Sequence, residues 1–132
     1  MAANAESSPI LSEAPPRLSI RDLKTMIVEV PMTFALGTSA ATVRKAPLLL
    51  VDLETEEGIT GRTYLFCYRV SGARALAALL ADAVEVVRGK PAAPVEIGQL
   101  LARRFTLLAV SGLARMALAA FSPTLSLRRL PC

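Results

Sequence analysis

Histidine and tryptophan are absent from the 132 residues of this chain, and there are only two cysteines, Cys67 and Cys132. Without histidine, the serine–histidine and cysteine–histidine pairs of nucleophilic enzymes are excluded. Two cysteines do not form a disulfide framework, and a chain without one is typical of the cytoplasm. Cys67 ends an apolar run, so we predict a small buried side chain at that position and not a nucleophile.

Aromatic residues are also scarce, at 5%, and the positive charges behind the net charge of +4 are scattered along the chain. A surface that binds single-stranded nucleic acid combines a basic groove with aromatic rings that stack on the bases. No nucleic-acid partner is therefore predicted. Apolar residues, in contrast, make up 53% of the chain, and the mean hydropathy is +0.48. This surplus indicates either a membrane or a large apolar face that packs against a partner.

The most apolar stretch, residues 105–121, could be interpreted as membrane-spanning. It has Arg115 near its centre, however, and it is shorter than the roughly 20 apolar residues that a spanning helix needs. A central arginine also costs about 2.5–3.5 kcal/mol on insertion scales. A packed helix is favoured, and a small membrane-associated protein is the alternative.

The first half of the chain predicts an antiparallel meander of three strands, at residues 23–30, 48–53 and 59–66. Pro31 is predicted to end the first strand, because proline cannot donate a ladder hydrogen bond. A soft apolar loop, residues 31–45, then leads to the second strand, and a charged turn that contains Gly58 leads to the third. Tyr64 and Phe66 share one face of the third strand and are predicted to be core residues.

After the strands the apolar period changes from two to 3.6, which predicts helices. The first is expected to start at an N-cap, Ser71, and to stop at Gly89. The second starts near Pro94, and the third is capped near Ser111 and broken by Pro123. The first helix has its apolar stripe at Leu76, Leu80, Ala83 and Val87. The fold class predicted is α+β, with a three-stranded meander followed by about three helices.

Three runs of residues are specific enough to suggest a family: TVRKAPLLLVDLETEEGITGRTYLFCYRV, KPAAPVEIGQLLARRF and SGLARMALAAF. Together they resemble the N-terminal capping domain of the enolase superfamily, in the mandelate racemase and muconate lactonizing enzyme group, and most closely the mandelate racemase-like enzymes. The resemblance implies a capping domain at residues 18–121. The small, polar, proline-containing composition of residues 1–17 predicts a disordered lead-in, and residues 122–132 depart from the family as a divergent tail.

The resemblance also implies a role. In such enzymes this domain closes over the mouth of a (β/α)7β barrel, which carries the catalytic residues and binds Mg²⁺. The family abstracts a proton next to a carboxylate, in racemisation or dehydration of a 2-hydroxy acid or sugar acid. Leu36, Val43 and Tyr68 match apolar positions that line the substrate side of the lid. The alternative is a purely structural role, in which Leu36 and Val43 fold onto their own sheet.

Nothing in the chain replaces the catalytic residues of the barrel. The acidic side chains lie along a strand, a turn and a helix surface, so they are not expected to converge on a metal ion: Asp52, Glu54, Glu56, Glu57, Asp82 and Glu85. The basic tail after Phe121 suggests a truncated or frame-shifted reading frame. We therefore expect a capping domain that is inactive alone and that contacts a barrel domain or associates with itself. The alternative is an interaction module that docks on a separate barrel subunit.

Overall fold

The computed structural model of this chain describes residues 18–108 and 111–126, with side chains up to residue 121. The predicted lead-in, residues 1–17, and the end of the tail, residues 127–132, lie outside the described residues. Three strands come first and three helices follow, which confirms the predicted α+β class. The strands are β1 (Ile20–Gly37), β2 (Thr42–Thr55) and β3 (Thr60–Phe66), and the helices are α1 (Val70–Val87), α2 (Pro94–Arg104) and α3 (Gly112–Ser126).

The strands form one antiparallel sheet in the order β1-β2-β3. The helices cover only one of its faces, where Leu49, Val51 and Leu53 of β2 are fully buried. On the other face, Met26, Leu50 and Tyr64 pair across the three strands and are exposed. The prediction that Tyr64 is a core residue is therefore wrong. The two-residue alternation of side chains along a strand does not determine which face of the sheet the helices will cover.

Phe66 occupies an intermediate position, since it is half-buried on the open face of the sheet. Its ring meets the ring of Tyr68 edge to face, with the centroids 4.7 Å apart. The third strand also pairs with β2 without a bulge, and Gly61 lies opposite Leu53 in regular register. The contact between the two rings connects the end of β3 to the turn that follows it.

Helix α1 confirms the predicted apolar stripe, because all four of its residues are fully buried: Leu76, Leu80, Ala83 and Val87. It also ends as predicted. Gly89 has a φ of 82° and donates its N–H to the carbonyl of Ile20 at 2.7 Å. The predicted start at Ser71 is wrong, because the N-cap is Arg69 and has no side-chain cap bond. The turn at Tyr68 brings the chain into helical geometry before Ser71 is reached.

The second and third helices complete the core. Pro94 lies in the first turn of α2 as predicted, and the helix places Ile97, Leu101 and the following Phe105 in the core. Helix α3 contributes Ala117 and Phe121 to the same cluster. It starts just after Ser111 but does not stop at Pro123, since it continues to Ser126. Proline removes one backbone hydrogen bond from a helix, and here that loss does not end it.

No helix in the described parts of the chain is long and apolar enough to cross a membrane. The stretch that was the candidate span, residues 105–121, begins after α2 has ended and includes a short 3-10 turn (Thr106–Leu108) and most of α3. Phe105, Ala117 and Ala120 from this stretch are buried against the sheet and α1 instead. The expectation of a packed helix is confirmed for the described residues.

Cys67 lies at the end of β3 and is buried, as predicted. Its thiol donates a hydrogen bond to the carbonyl of Leu65 at 3.4 Å. Burial raises the pKa of this thiol, because desolvation disfavours the thiolate. The thiolate is the reactive form of cysteine, so Cys67 has a structural role.

Candidate functional site

Strands β1 and β2 extend past the sheet as a two-stranded ribbon, which we define as residues 31–45. Leu36 pairs with Val43, and Gly37 pairs with Thr42. The turn between them is tied by Thr38, whose Oγ1 donates to the carbonyl of Ala41 at 2.8 Å and accepts the Ala41 N–H at 2.9 Å. The prediction of a soft loop at residues 31–45 is therefore wrong, because the segment is a hydrogen-bonded hairpin.

Pro31 does not end β1, because β1 is an edge strand of the sheet. An edge strand has one side without ladder bonds, and a proline can stand there without breaking the pairing. The register does shift beyond it: Pro31 pairs with Lys45, but the next pair is Leu36 with Val43. The four residues 32–35 of β1 thus face only Arg44 of β2, so β1 carries three extra residues at this point.

A groove of about 430 Å³ lies between the base of the ribbon and the turn that joins β3 to α1. Next to the groove, Cys67 donates its N–H to the carbonyl of Pro47 at 2.9 Å and so ties the turn to β2. Several elements contribute to its lining: Glu29 from β1, residues 41–45 and Pro47 from the ribbon and β2, and residues 68–71 from the turn and the start of α1. Two segments distant in sequence therefore build one site.

Tyr68 stands at the centre of the turn and has a φ of 58°, the only positive φ of a non-glycine residue in the described parts of the chain. The N–H of Arg69 bonds the carbonyl of Cys67, which makes a three-residue turn around Tyr68. Such a turn is rare and strained for a residue with a Cβ. Strained residues of this kind cluster at functional sites, and here the strain holds the tyrosine ring, 58% exposed, at the groove.

The strain at Tyr68 can be measured as stability. Both Tyr68→Ala and Tyr68→Gly remove the ring, but only glycine relieves the positive φ. The glycine variant is expected to be more stable than the alanine variant by about 0.5–1 kcal/mol, after its larger loss of backbone entropy on folding is included. Urea unfolding followed by circular dichroism measures the difference. An alanine variant that is as stable as the glycine variant would contradict the argument.

Two of the three residues predicted to line the lid meet at the groove. Val43 and Tyr68 both line it. Leu36 does not, and it lies on the outer strand of the ribbon opposite Val43. Paired residues of antiparallel strands project to the same face, so Leu36 is a neighbour of Val43, although it is not itself part of the lining.

The groove also contains charged residues that sequence reasoning missed. Arg44, Lys45 and Arg69 line it together with Glu29, and all four are exposed. The available signal was the adjacent pair Arg44-Lys45 at the end of an otherwise uncharged stretch. Only the fold shows that Arg69, on a different segment, joins them.

Several acidic residues elsewhere form local ion pairs. Glu54 accepts bonds from Lys24 and Arg21, both at 2.7 Å, and these bonds lower the pKa of Glu54. Asp22 accepts a bond from the Leu23 N–H and another from Arg88, which lower its pKa as well. Across the parts of the chain that the structure describes, no three His, Cys, Asp or Glu residues are grouped so that they could hold a metal ion.

Comparison with known proteins gives the family. The pattern that defines the N-terminal domain of the mandelate racemase / muconate lactonizing enzyme family matches residues 21–125. The chain therefore belongs to this family, as the N-terminal capping domain of an enolase-superfamily protein.

Solved structures agree with this assignment. An enolase from alpha proteobacterium BAL199 with bound magnesium is 30% identical to this chain, with a TM-score of 0.77 over 82% of this chain. An enolase from Bradyrhizobium, complexed with magnesium and mandelic acid, is 28% identical, with a TM-score of 0.76 over 83% of this chain. A racemase from Streptomyces coelicolor A3(2) with bound magnesium, 22% identical with a TM-score of 0.69 over 80% of this chain, shares the fold. The chain spans about 30% of the length of each of these proteins.

Proposed function

We propose that this chain acts as the lid of an enolase-superfamily active site, with the domain formed by residues 18–121. The observation that carries the proposal is the groove, where the ribbon and the strained turn at Tyr68 meet at one end of the sheet. A lid needs a surface that excludes water and contacts the variable part of the substrate. Val43 and Tyr68 supply that surface, and Leu36 supports Val43 from the opposite strand.

We assign the catalytic steps to the part of such an enzyme that lies outside this domain. Two similar enolases contain magnesium, and one also contains mandelic acid. The described carboxylates of this chain are spread over ion pairs and turns, so they do not fit a magnesium site. We therefore assign no proton-transfer step to this domain. The parent reaction we propose is magnesium-dependent removal of an α-proton from a 2-hydroxy acid or sugar acid, as racemisation or dehydration.

The partner we propose is a barrel domain. The similar proteins are about three times as long as the matched part, which leaves room for such a domain in each of them. The exposed row Met26, Leu50 and Tyr64 on the open face of the sheet is apolar surface that the described residues do not cover. Contact with a barrel on a separate chain, or self-association, is the second reading that this surface supports.

A domain exchange tests the lid. Residues 18–121 replace the matching domain of the Bradyrhizobium enolase, and calorimetry measures the affinity of the folded chimera for mandelic acid in the presence of Mg²⁺. In the chimera, Val43→Ala removes two methyl groups from the groove and is expected to weaken binding about threefold to tenfold. Tyr68→Ala is expected to weaken it by at least as much, since a larger apolar surface is lost.

The matched control is Val95→Ala in α2. Val95 is 70% exposed and lies outside the groove, so the same loss of methyl groups there is expected to leave binding unchanged. Circular dichroism verifies that each variant is folded. A folded chimera that binds mandelic acid equally well with and without the Val43 and Tyr68 side chains would show that this domain is not the lid.

A further inference from the structure

The groove carries more positive than negative charge. Arg44 and Lys45 contribute from the ribbon and Arg69 from the start of α1, whereas Glu29 is the only carboxylate in its lining. Three positive charges and one negative charge leave a local charge of +2. Charges of one sign along a concave surface concentrate ions of the other sign there.

None of these four side chains takes part in an ion pair within residues 18–108 and 111–121. Ion pairs in that region involve other cations: Arg21, Lys24, Arg62, Arg88 and Arg104. A cation that is already paired has most of its charge offset by its partner. The cations of the groove keep their donors available for an external acceptor, and an arginine fork matches a carboxylate in shape.

The groove also has apolar lining. Val43, Pro47 and Tyr68 line the same groove, and the tyrosine presents a ring together with a hydroxyl that can donate a hydrogen bond. A ligand that fits this lining has an apolar or polyol body and an anionic end. A purely aromatic substituent would leave the three cations without an acceptor.

We propose that the groove binds a second anionic group of the substrate, a carboxylate remote from the reacting carbon, and that the preferred substrates are therefore dianions. This inference rests on the proposed function, because it assumes that the groove faces the bound substrate. It adds a substrate class to the lid: hydroxy diacids are preferred over acids with a single charge. Arg44 and Arg69 determine this specificity, and Lys45 adds to the field.

The groove can be tested on the 132-residue chain itself. Backbone amide signals are followed by NMR during titration with tartrate, a dianion, with mandelate, a monoanion, and with neutral mandelamide. Tartrate is expected to shift the amides of residues 42–45 and 69–71 and to bind about fivefold more tightly than mandelate. Mandelamide is expected to bind at least tenfold more weakly than tartrate. Raising the salt from about 20 to about 200 mM is expected to weaken tartrate binding several-fold, because salt screens exposed charges.

Charge-removing variants locate the site. Arg69→Gln and Arg44→Gln are each expected to weaken tartrate binding about threefold to fivefold. The matched control is Arg103→Gln in α2, an exposed arginine outside the groove whose side chain forms no ion pair with the described residues. Its effect is expected to stay within twofold.

The inference is overturned if tartrate and mandelamide shift the same amides to the same extent, or if Arg103→Gln weakens binding as much as Arg69→Gln does. It is overturned as well if only an acidic protein or peptide binds the groove and tartrate does not. The domain exchange tests the lid independently of the anion site. A chimera that depends on Val43 while the tartrate titration is flat keeps the lid and removes the anion site. If tartrate binding depends on Arg69 but the chimera binds mandelic acid equally well without the Val43 and Tyr68 side chains, the anion site stands and the lid does not.

Discussion

Replacing Phe105 by alanine is expected to lower the free energy of unfolding by about 3–5 kcal/mol, the usual range for a fully buried phenylalanine. Phe105 is 1% exposed and is the largest of the fully buried side chains. It follows the last residue of α2 and donates its N–H to the carbonyl of Leu101 at 3.0 Å, so its ring enters the core cluster that also contains Ala117 of α3. A small domain has about 5–15 kcal/mol of stability in total, so this one change removes a large part of it.

The control lies two residues away. Leu107 is 99% exposed, and Leu107→Ala is expected to change the stability by less than about 0.5 kcal/mol. Phe105→Leu keeps most of the buried volume and is expected to cost only about 1–1.5 kcal/mol. Urea unfolding followed by circular dichroism gives all three values. If Phe105→Ala costs no more than Leu107→Ala, the core described here is wrong.

Replacing Thr55 by valine is expected to destabilise the fold by about 1–3 kcal/mol. Thr55 is the buried polar residue at the end of β2, and its Oγ1 closes the hairpin turn to β3. The hydroxyl donates to the carbonyl of Ile59 at 2.8 Å and accepts the Ile59 N–H at 3.0 Å. Valine has the same shape and strand preference, but it leaves the Ile59 N–H without its acceptor.

Thr25→Val is the matched control for this change, since Thr25 is an exposed strand residue without a side-chain hydrogen bond to the described residues. It is expected to stay within about 0.5 kcal/mol of the parent chain. Thermal unfolding or urea unfolding measures both variants. An equal effect at the two positions would mean that the hydroxyl bonds of Thr55 do not stabilise the turn.

The helices could be predicted from the sequence because a period of 3.6 is a local signal. The stripe that runs from Leu76 to Val87 is buried as a unit, and glycine at 89 ends the helix in the left-handed geometry that glycine favours. The helix start was harder to predict. The chain enters the helix through a three-residue turn in which Tyr68 has a positive φ. Tyrosine rarely adopts that geometry, so no residue preference in the sequence predicted the turn.

The faces of the sheet were harder to predict than its strands. The apolar residues of β2 run without a break, and nothing in that run says that Leu49 is buried and Leu50 exposed. The helices decide this, because they pack on one face only. The same fact explains the error at Tyr64, which pairs with Leu50 and shares its exposed face.

The candidate site was predictable in part. Val43 and Tyr68 were found through resemblance to a family, and both line the groove. The charged lining was not found, because Arg44 and Arg69 are 25 positions apart in the sequence. Only the return of β3 to the base of the ribbon, through the bond between Cys67 and Pro47, brings them together.

The shift of register in the ribbon separates the length of the ribbon from the stability of the sheet. The extra residues of β1 lie beyond Pro31, outside the pairs that join residues 23–31 to β2. Insertions and deletions at residues 32–35 therefore leave every one of those pairs in place. A ribbon of different length is therefore compatible with the same folded core. If the ribbon acts as the lid that we propose, its shape can change without a change of scaffold.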